Sequence, residues 1–291
     1  FLDEPETVIS FFEQYQDKYK RTPDFKPLSR LMGIAKINPE KSELVAGALT
    51  TLGDWYNQQP GSEAKLHAIE AYRQVLTLDP FSRSIKDKLA ETYVAYGNAY
   101  LEIYLLNRAD TDQTRAAMAY LQAVKLAPDN TQVQQAILRA FQTTGDDEIR
   151  AALSQVAMSY EVAINQASDA LSNYWELANI YQELGQSDEA IALYLKILER
   201  QPGDSSAHYY LGQIYQNQEK LSEALTHYNR ALELKPDWFQ IYQKQYDLYR
   251  HQNDLTNAVA VLHRAANQNP TAAWPHLELG KLYWNQASGK Q

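Results

Sequence analysis

Residues 174–202 of the chain read YWELANIYQELGQSDEAIALYLKILERQP, and residues 208–236 read HYYLGQIYQNQEKLSEALTHYNRALELKP. The two stretches share one pattern at an offset of 34 residues. The same offset relates three further series, which are Tyr181, Tyr215, Tyr249 and Tyr283; Pro202, Pro236 and Pro270; and Ala190, Ala224 and Ala258. A fixed period of this length indicates an internal repeat in which each unit is one supersecondary element.

The spacing inside one unit predicts two helices joined by a short turn. The first helix has an apolar stripe at i, i+3, i+4 and i+7, and the second has small and aromatic residues that let two helices approach closely. Those positions are Tyr174, Leu177, Ala178 and Tyr181, then Ala190, Tyr194 and Ile197. Asp188, Ser222 and Thr256 recur at one spacing, so we expect them to be N-caps of the second helices. The proline that follows each second helix ends it.

These units resemble tetratricopeptide (TPR) repeats. The family pattern of a bulky residue, Leu, Gly or Ala, Tyr, then Ala, an aromatic, Ala and Pro is met in the units that end at Pro202 and Pro236. The unit that ends at Pro270 departs from it at Gln245 and Tyr246. The resemblance covers residues 41 to 286, most closely from 170 to 270. It implies an all-α fold, a right-handed α-solenoid of stacked helix pairs.

The domain organisation follows from where the pattern holds. We expect an N-terminal helical cap over residues 1–40 and a solenoid of about six repeats over residues 41–270. Its two central repeats are irregular: one has an extended first helix over about residues 84–107, and the other is a divergent pair around Gly145. Residues 271–291 are predicted to form an unpaired or capping helix.

Composition excludes several classes of site. The 291 residues include no cysteine, which rules out disulfides, thiolate metal sites and a cysteine nucleophile. The formal charge of −9 disfavours nucleic acid, so we expect none to bind. An apolar run of about 18 residues, which a membrane helix needs, is missing, so we expect no direct membrane insertion.

Catalytic signatures are also missing. The sequence has no P-loop, no His-Glu-x-x-His and no Gly-x-Ser-x-Gly motif. We therefore expect no enzyme activity, no cofactor and no metal. The compartment stays open, with a soluble bacterial protein favoured because the absence of cysteine costs little there.

The resemblance implies that the first helix of each pair lines a groove. Amide side chains suit the backbone of an extended peptide because they donate and accept, and aromatic side chains add rigid contact area. The candidate groove residues are Trp175, Asn179, Gln182, Tyr209, Tyr210, Gln213, Gln216, Asn217, Lys244 and Arg250. The alternative is an ordinary solvated helix face in a chain rich in glutamine.

Two functions fit this picture. The first is a non-catalytic scaffold or adaptor that holds a partner peptide or subunit in its groove, within an assembly or biogenesis complex. The second is the substrate-recognition arm of a larger enzyme or membrane protein, of a glycosyltransferase-like or polymer-processing kind. The start of the chain at Phe1 rather than methionine motivates this second interpretation.

The last helix suggests a further contact. It has apolar residues on several faces, as buried helices do. We expect Trp274 and Trp284 to form a terminal interface, for example in self-association. The alternative is a capping helix whose two tryptophans are half exposed.

Overall fold

The computed structural model describes residues 32–33, 35–36, 39–167 and 169–287. A 3-10 turn, Pro39–Lys41, precedes the α-helices, and the described residues contain no strand. The helices are α1 Ser42–Gln58, α2 Ser62–Leu78, α3 Arg83–Asn107, α4 Asp110–Leu126, α5 Thr131–Thr144, α6 Asp147–Gln166, α7 Leu171–Glu183, α8 Ser187–Arg200, α9 Ser205–Asn217, α10 Leu221–Leu234, α11 Phe239–His251, α12 Leu255–Gln268 and α13 Ala273–Ala287. The predicted all-α fold of helix pairs is confirmed. The predicted cap over residues 1–40 lies almost entirely outside the described residues.

The chain divides into two compact units, Phe1–Asn165 and Gln166–Gln291. Unit 1 contains α1 to α5 and all but the last residue of α6, and unit 2 contains α7 to α13. Nothing in the repeat pattern anticipates this boundary. The division into a cap, a repeat region over 41–270 and a final segment stays a prediction.

In unit 1 each of the first four helices packs against the next one along the chain. Helix α5 contacts α3 and α4, and the Gln134 amide donates to the Ser159 hydroxyl on α6 at 3.2 Å. The extended helix predicted near residues 84–107 is α3, which has 25 residues. Its final turn exposes 88% of Leu106.

Unit 2 repeats one hairpin three times and then adds α13. Helices α7 and α8, α9 and α10, and α11 and α12 pack as pairs, and α13 packs against α12. The three hairpin turns place Gly185, Glu219 and Asn253 at φ of 77°, 59° and 58°. These residues lie 34 positions apart, so the period of the sequence is also a period of the backbone.

The N-caps predicted for the second helices are wrong. Helices α8, α10 and α12 begin two residues earlier than the prediction requires, and their N-caps are Gln186, Lys220 and Asp254. The Asp254 carboxylate accepts from the Asn257 N–H at 3.0 Å. The left-handed residue in each turn, Gly185, Glu219 or Asn253, fixes where the second helix starts.

In the pairs α1–α2, α3–α4 and α9–α10 a tyrosine of the second helix packs against a glycine of the first. A Cβ at Gly212 would lie 2.6 Å from the Tyr228 ring, and one at Gly53 would lie 2.6 Å from the Tyr72 ring. Glycine is required there because the ring occupies the space of a side chain. Tyr181, Tyr215 and Tyr249, which recur with the 34-residue period, are half-buried, and Tyr215 and Tyr249 pack against the core of unit 2. Among the described residues the fully buried tyrosines are Tyr72, Tyr120, Tyr194 and Tyr228.

Candidate functional site

The candidate groove residues lie on α7, α9 and α11, the first helices of the three pairs in unit 2. Asn217 and Arg250 are exposed, and Tyr209 is buried. The other candidates are half-buried: Trp175, Asn179, Gln182, Tyr210, Gln213, Gln216 and Lys244. We call the surface formed by Trp175, Asn179, Gln182, Tyr210, Gln213 and Gln216 the amide face.

Two buried tyrosines reach the amide face from the second helices. The Tyr194 hydroxyl donates to Gln182 Oε1 at 2.7 Å, and the Tyr228 hydroxyl donates to Gln216 Oε1 at 2.7 Å. Asn179 Oδ1 lies 3.0 Å from the Tyr194 hydroxyl. Burial raises the pKa of both tyrosines, so they stay protonated donors at neutral pH. The two glutamines therefore have a structural function as well as an exposed edge.

Aromatic rings cluster beside these amides. Trp175 packs edge-on against Tyr194 with ring centroids 5.3 Å apart, and Tyr210 stacks on Tyr194 at 5.5 Å with an interplanar angle of 4°. Trp175 and Tyr210 are also in edge contact at 5.8 Å. Because Tyr194 is fully buried, it fixes the other two rings, whose half-exposed parts form a rigid apolar area.

Tyr209 does not belong to this surface, contrary to the prediction. Its side chain is 6% exposed and packs on Trp238 with ring centroids 4.7 Å apart. Its hydroxyl accepts from the Gln213 amide at 2.8 Å. Trp238, in the loop before α11, closes over this position, and the repeat pattern contains no signal for that contact.

Lys244 and Arg250 lie on the next repeat. Among the described residues, no hydrogen bond or ion pair joins either of them to α7 or α9. On the same helix the Tyr246 hydroxyl donates to Glu278 on α13 at 3.0 Å. Burial and this carboxylate raise the pKa of Tyr246 to about 12. The structure therefore gathers the amides and aromatics of α7 and α9 but not the two cations of α11.

Sequence reasoning missed a histidine pair on the same unit. The Nδ1 atoms of His208 on α9 and His227 on α10 lie 3.0 Å apart. Burial lowers the pKa of both, and the neighbouring imidazole lowers the pKa of His227 further. The ring centroids are 5.3 Å apart, so the two nitrogens point at each other and form a hydrogen bond. His208 occupies a repeat packing position, but His227 does not, so the pattern could not pair them.

Unit 1 has its own version of the tyrosine contact. The Tyr72 hydroxyl donates to Asp54 at 2.6 Å, and the Tyr120 hydroxyl donates to Asn98 at 2.7 Å. Lys88 on α3 forms an ion pair with Asp54 at 2.6 Å. The signal that could have predicted both contacts is a glycine followed by a polar residue, as in Gly53-Asp54 and Gly97-Asn98.

The final helix separates the two tryptophans predicted to form a terminal interface. Trp274 is half-buried and packs edge-on against Phe239 and Tyr246, with ring centroids 5.5 and 5.6 Å away. Trp284 is 72% exposed. Trp274 thus belongs to the packing of α11 with α13, and the exposed apolar residues of α13 are Leu277, Tyr283 and Trp284.

No three histidine or acidic side chains in the described part of the chain come together in a way that could hold a metal ion. Among the described helices, none combines the length and the apolarity that a membrane crossing requires.

Comparison with known families identifies the class of protein. Residues 176–237 match a model described as a tetratricopeptide repeat, and residues 247–286 match a second model described as a TPR repeat. Unit 2 therefore contains tetratricopeptide repeats. Repeats of this family are typically non-catalytic and typically support protein interaction.

Several solved structures are similar to the chain. A crystal structure of MamA protein is 22% identical, with 68% of this chain and 94% of that chain covered and a TM-score of 0.37. The crystal structure of YrrB, described as a TPR protein with an unusual peptide-binding site, is 17% identical, with 73% and 99% covered and a TM-score of 0.40. A MamA structure from Desulfovibrio magneticus RS-1 is 14% identical, with 62% and 97% covered and a TM-score of 0.41. A search of curated proteins found no match.

Proposed function

We propose that unit 2 holds an extended peptide segment of a partner protein against the amide face. The observation that supports this most strongly is the pair of equivalent contacts, Tyr194 with Gln182 and Tyr228 with Gln216, beside the rings of Trp175 and Tyr210. Fixed side chains lose little conformational entropy when a ligand binds, so a rigid array of amides and rings favours binding.

The chemistry of the amide face favours a peptide over other ligands. Its six residues are all uncharged, and amides together with aromatic rings suit a polypeptide backbone and its apolar side chains. The net charge of −9 disfavours a phosphate backbone. A scaffold that captures segments of other proteins would serve an assembly or biogenesis complex, as the sequence suggests.

A peptide selected on the intact chain would test the proposal. Dodecapeptides recovered from a random display library would be titrated calorimetrically into the wild type and into the double variant Trp175→Ala, Tyr210→Ala. We expect at least a tenfold loss of affinity, because two rigid anchors are removed. Leu106→Ala in unit 1 is the control, since Leu106 is 88% exposed and is available to a nonspecific apolar ligand. Equal affinity for the wild type and the double variant would refute the proposal.

We also propose that the exposed face of α13 pairs with a second copy of the chain. Leu277, Tyr283 and Trp284 are 62%, 49% and 72% exposed on this one helix, and large apolar side chains grouped on a surface mark interaction sites. Light scattering after size exclusion should give a dimer for the wild type and a monomer for Trp284→Asp. A monomeric wild type at high concentration would contradict this.

A further inference from the structure

Building on the proposed function, we propose that Gln182 and Gln216 bind main-chain carbonyls of the captured segment. Tyr194 and Tyr228 act as positioning residues that turn the two side-chain NH2 groups toward the ligand. The ligand class is therefore a neutral, extended stretch of backbone, which the amide face recognises with little regard to side-chain sequence.

The orientation of the glutamines follows from the buried phenols. Tyr194 and Tyr228 are 0% exposed, so each hydroxyl proton must find an acceptor inside the protein. Gln216 Oε1 accepts from Tyr228. A hydroxyl has one proton, and of the two oxygens near Tyr194 the closer one belongs to Gln182, at 2.7 Å against 3.0 Å for Asn179.

Because Oε1 of Gln182 and of Gln216 accepts from a tyrosine, the side-chain nitrogens remain available to a ligand. An amide has one oxygen and two N–H donors. When the buried tyrosine hydroxyl binds the oxygen, the NH2 group points away from the tyrosine and toward the surface. Within the described part of the chain, no contact uses Nε2 of Gln182 or of Gln216, and both residues are half-buried. The unit 2 surface therefore offers one unpaired donor group in each of two successive repeats.

One extended segment can reach both helices that carry these donors. The ring centroids of Trp175 on α7 and Tyr210 on α9 lie 5.8 Å apart, so the amide face is continuous from one first helix to the next. An extended chain advances about 3.3 Å per residue, so carbonyls three residues apart are separated by about 10 Å. Two donors on successive first helices can therefore bind two carbonyls of one strand-like segment.

Charge decides between a carbonyl and a carboxylate as the acceptor. Glu176 and Glu183 lie on α7 beside Trp175 and Gln182, and the basic Lys244 and Arg250 lie on α11. An anionic ligand group near Gln182 would be repelled by the like charge of these carboxylates. A neutral main-chain carbonyl has no such cost.

The test uses a dodecapeptide that the display selection recovers on the intact chain. Gln216→Glu keeps an acceptor for Tyr228 but replaces the outward donors with a carboxylate oxygen. The fold should tolerate this, because Asp54 already accepts from Tyr72 in unit 1. We expect at least tenfold weaker binding for Gln216→Glu. Asn98→Asp is the matched control, since it changes the amide that accepts from Tyr120 and should alter affinity less than twofold.

Two further measurements separate this inference from the proposed function. Replacing the contacted peptide bond with an ester weakens the carbonyl acceptor and should lower the affinity for the wild type several-fold. The same ester should have little further effect on the affinity for Gln216→Glu, because both changes remove the same interaction. Tyr228→Phe should weaken binding about threefold or more although Gln216 is unchanged. Full affinity in Gln216→Glu, with loss in the Trp175, Tyr210 double variant, would overturn the inference and leave peptide binding standing. Recovery of no peptide would overturn both.

Discussion

Units 1 and 2 both contain a hydrogen bond donated by a buried tyrosine hydroxyl, but the acceptor of this bond differs. In both units a buried tyrosine of a second helix reaches past a glycine of the first helix, and its hydroxyl donates to a polar side chain there. In unit 1 one acceptor is Asp54, whose carboxylate also binds Lys88. In unit 2 Tyr228 donates instead to the Gln216 amide, four residues after Gly212, whereas Asp54 directly follows Gly53. The packing of the pair is thus held constant while the outward chemistry varies.

This difference explains why the two units need not bind the same ligands. The Lys88 ammonium lies within 2.7 Å of both oxygens of Asp54, so it occupies the acceptor that a ligand could have used. The Gln216 amide keeps its donors for a ligand. A fold that demands only an acceptor within reach of the tyrosine hydroxyl leaves the remaining chemistry of the accepting residue free to change.

The largest expected effect is the loss of a buried ring. Tyr228→Ala and Tyr120→Ala should each lower the free energy of unfolding by about 3–5 kcal/mol, because both side chains are fully buried. Urea denaturation followed by circular dichroism measures this. Tyr283→Ala, at a half-exposed position, should cost less than about 1 kcal/mol. A large loss in only one of the two units would break their equivalence.

Replacing a glycine with alanine should change the free energy of unfolding by a smaller amount, lowering it at two positions and raising it at a third. Gly212→Ala and Gly53→Ala place a Cβ against a tyrosine ring, and overpacking of this kind costs about 1–3 kcal/mol. Gly280→Ala meets no atom within 4 Å and should gain about 0.5–1 kcal/mol from helix propensity. Thermal unfolding would compare them, and a gain at Gly212 would show that Tyr228 does not need the glycine.

The smallest expected effect concerns the ion pair of unit 1. Lys88→Met should lower the free energy of unfolding by no more than about 1 kcal/mol, because the two side chains are 37% and 38% exposed. The difference from the wild type should shrink further in high salt. A loss well above this would mean that Lys88 supports the fold rather than merely occupying Asp54.

The sequence predicted the helix pairs well because they depend on a repeated local pattern. The 34-residue period located the hairpins of unit 2, and the proline spacing located the extended α3 of unit 1. The candidate surface was predicted less well. The burial of Tyr209 depends on Trp238, which belongs to the next loop, and the orientation of Gln182 depends on Tyr194 across the hairpin. Such contacts join different elements, and a single helix pattern does not encode them.

The central claim is that the amide face of unit 2 binds an extended peptide. Hydrogen–deuterium exchange measured by mass spectrometry, with and without a display-selected peptide at saturating concentration, tests it most directly. We predict slower exchange over residues 171–183 and 205–217 when the peptide is bound, and unchanged exchange over residues 42–58 and 83–107. Protection confined to the helices of unit 1 would contradict the claim.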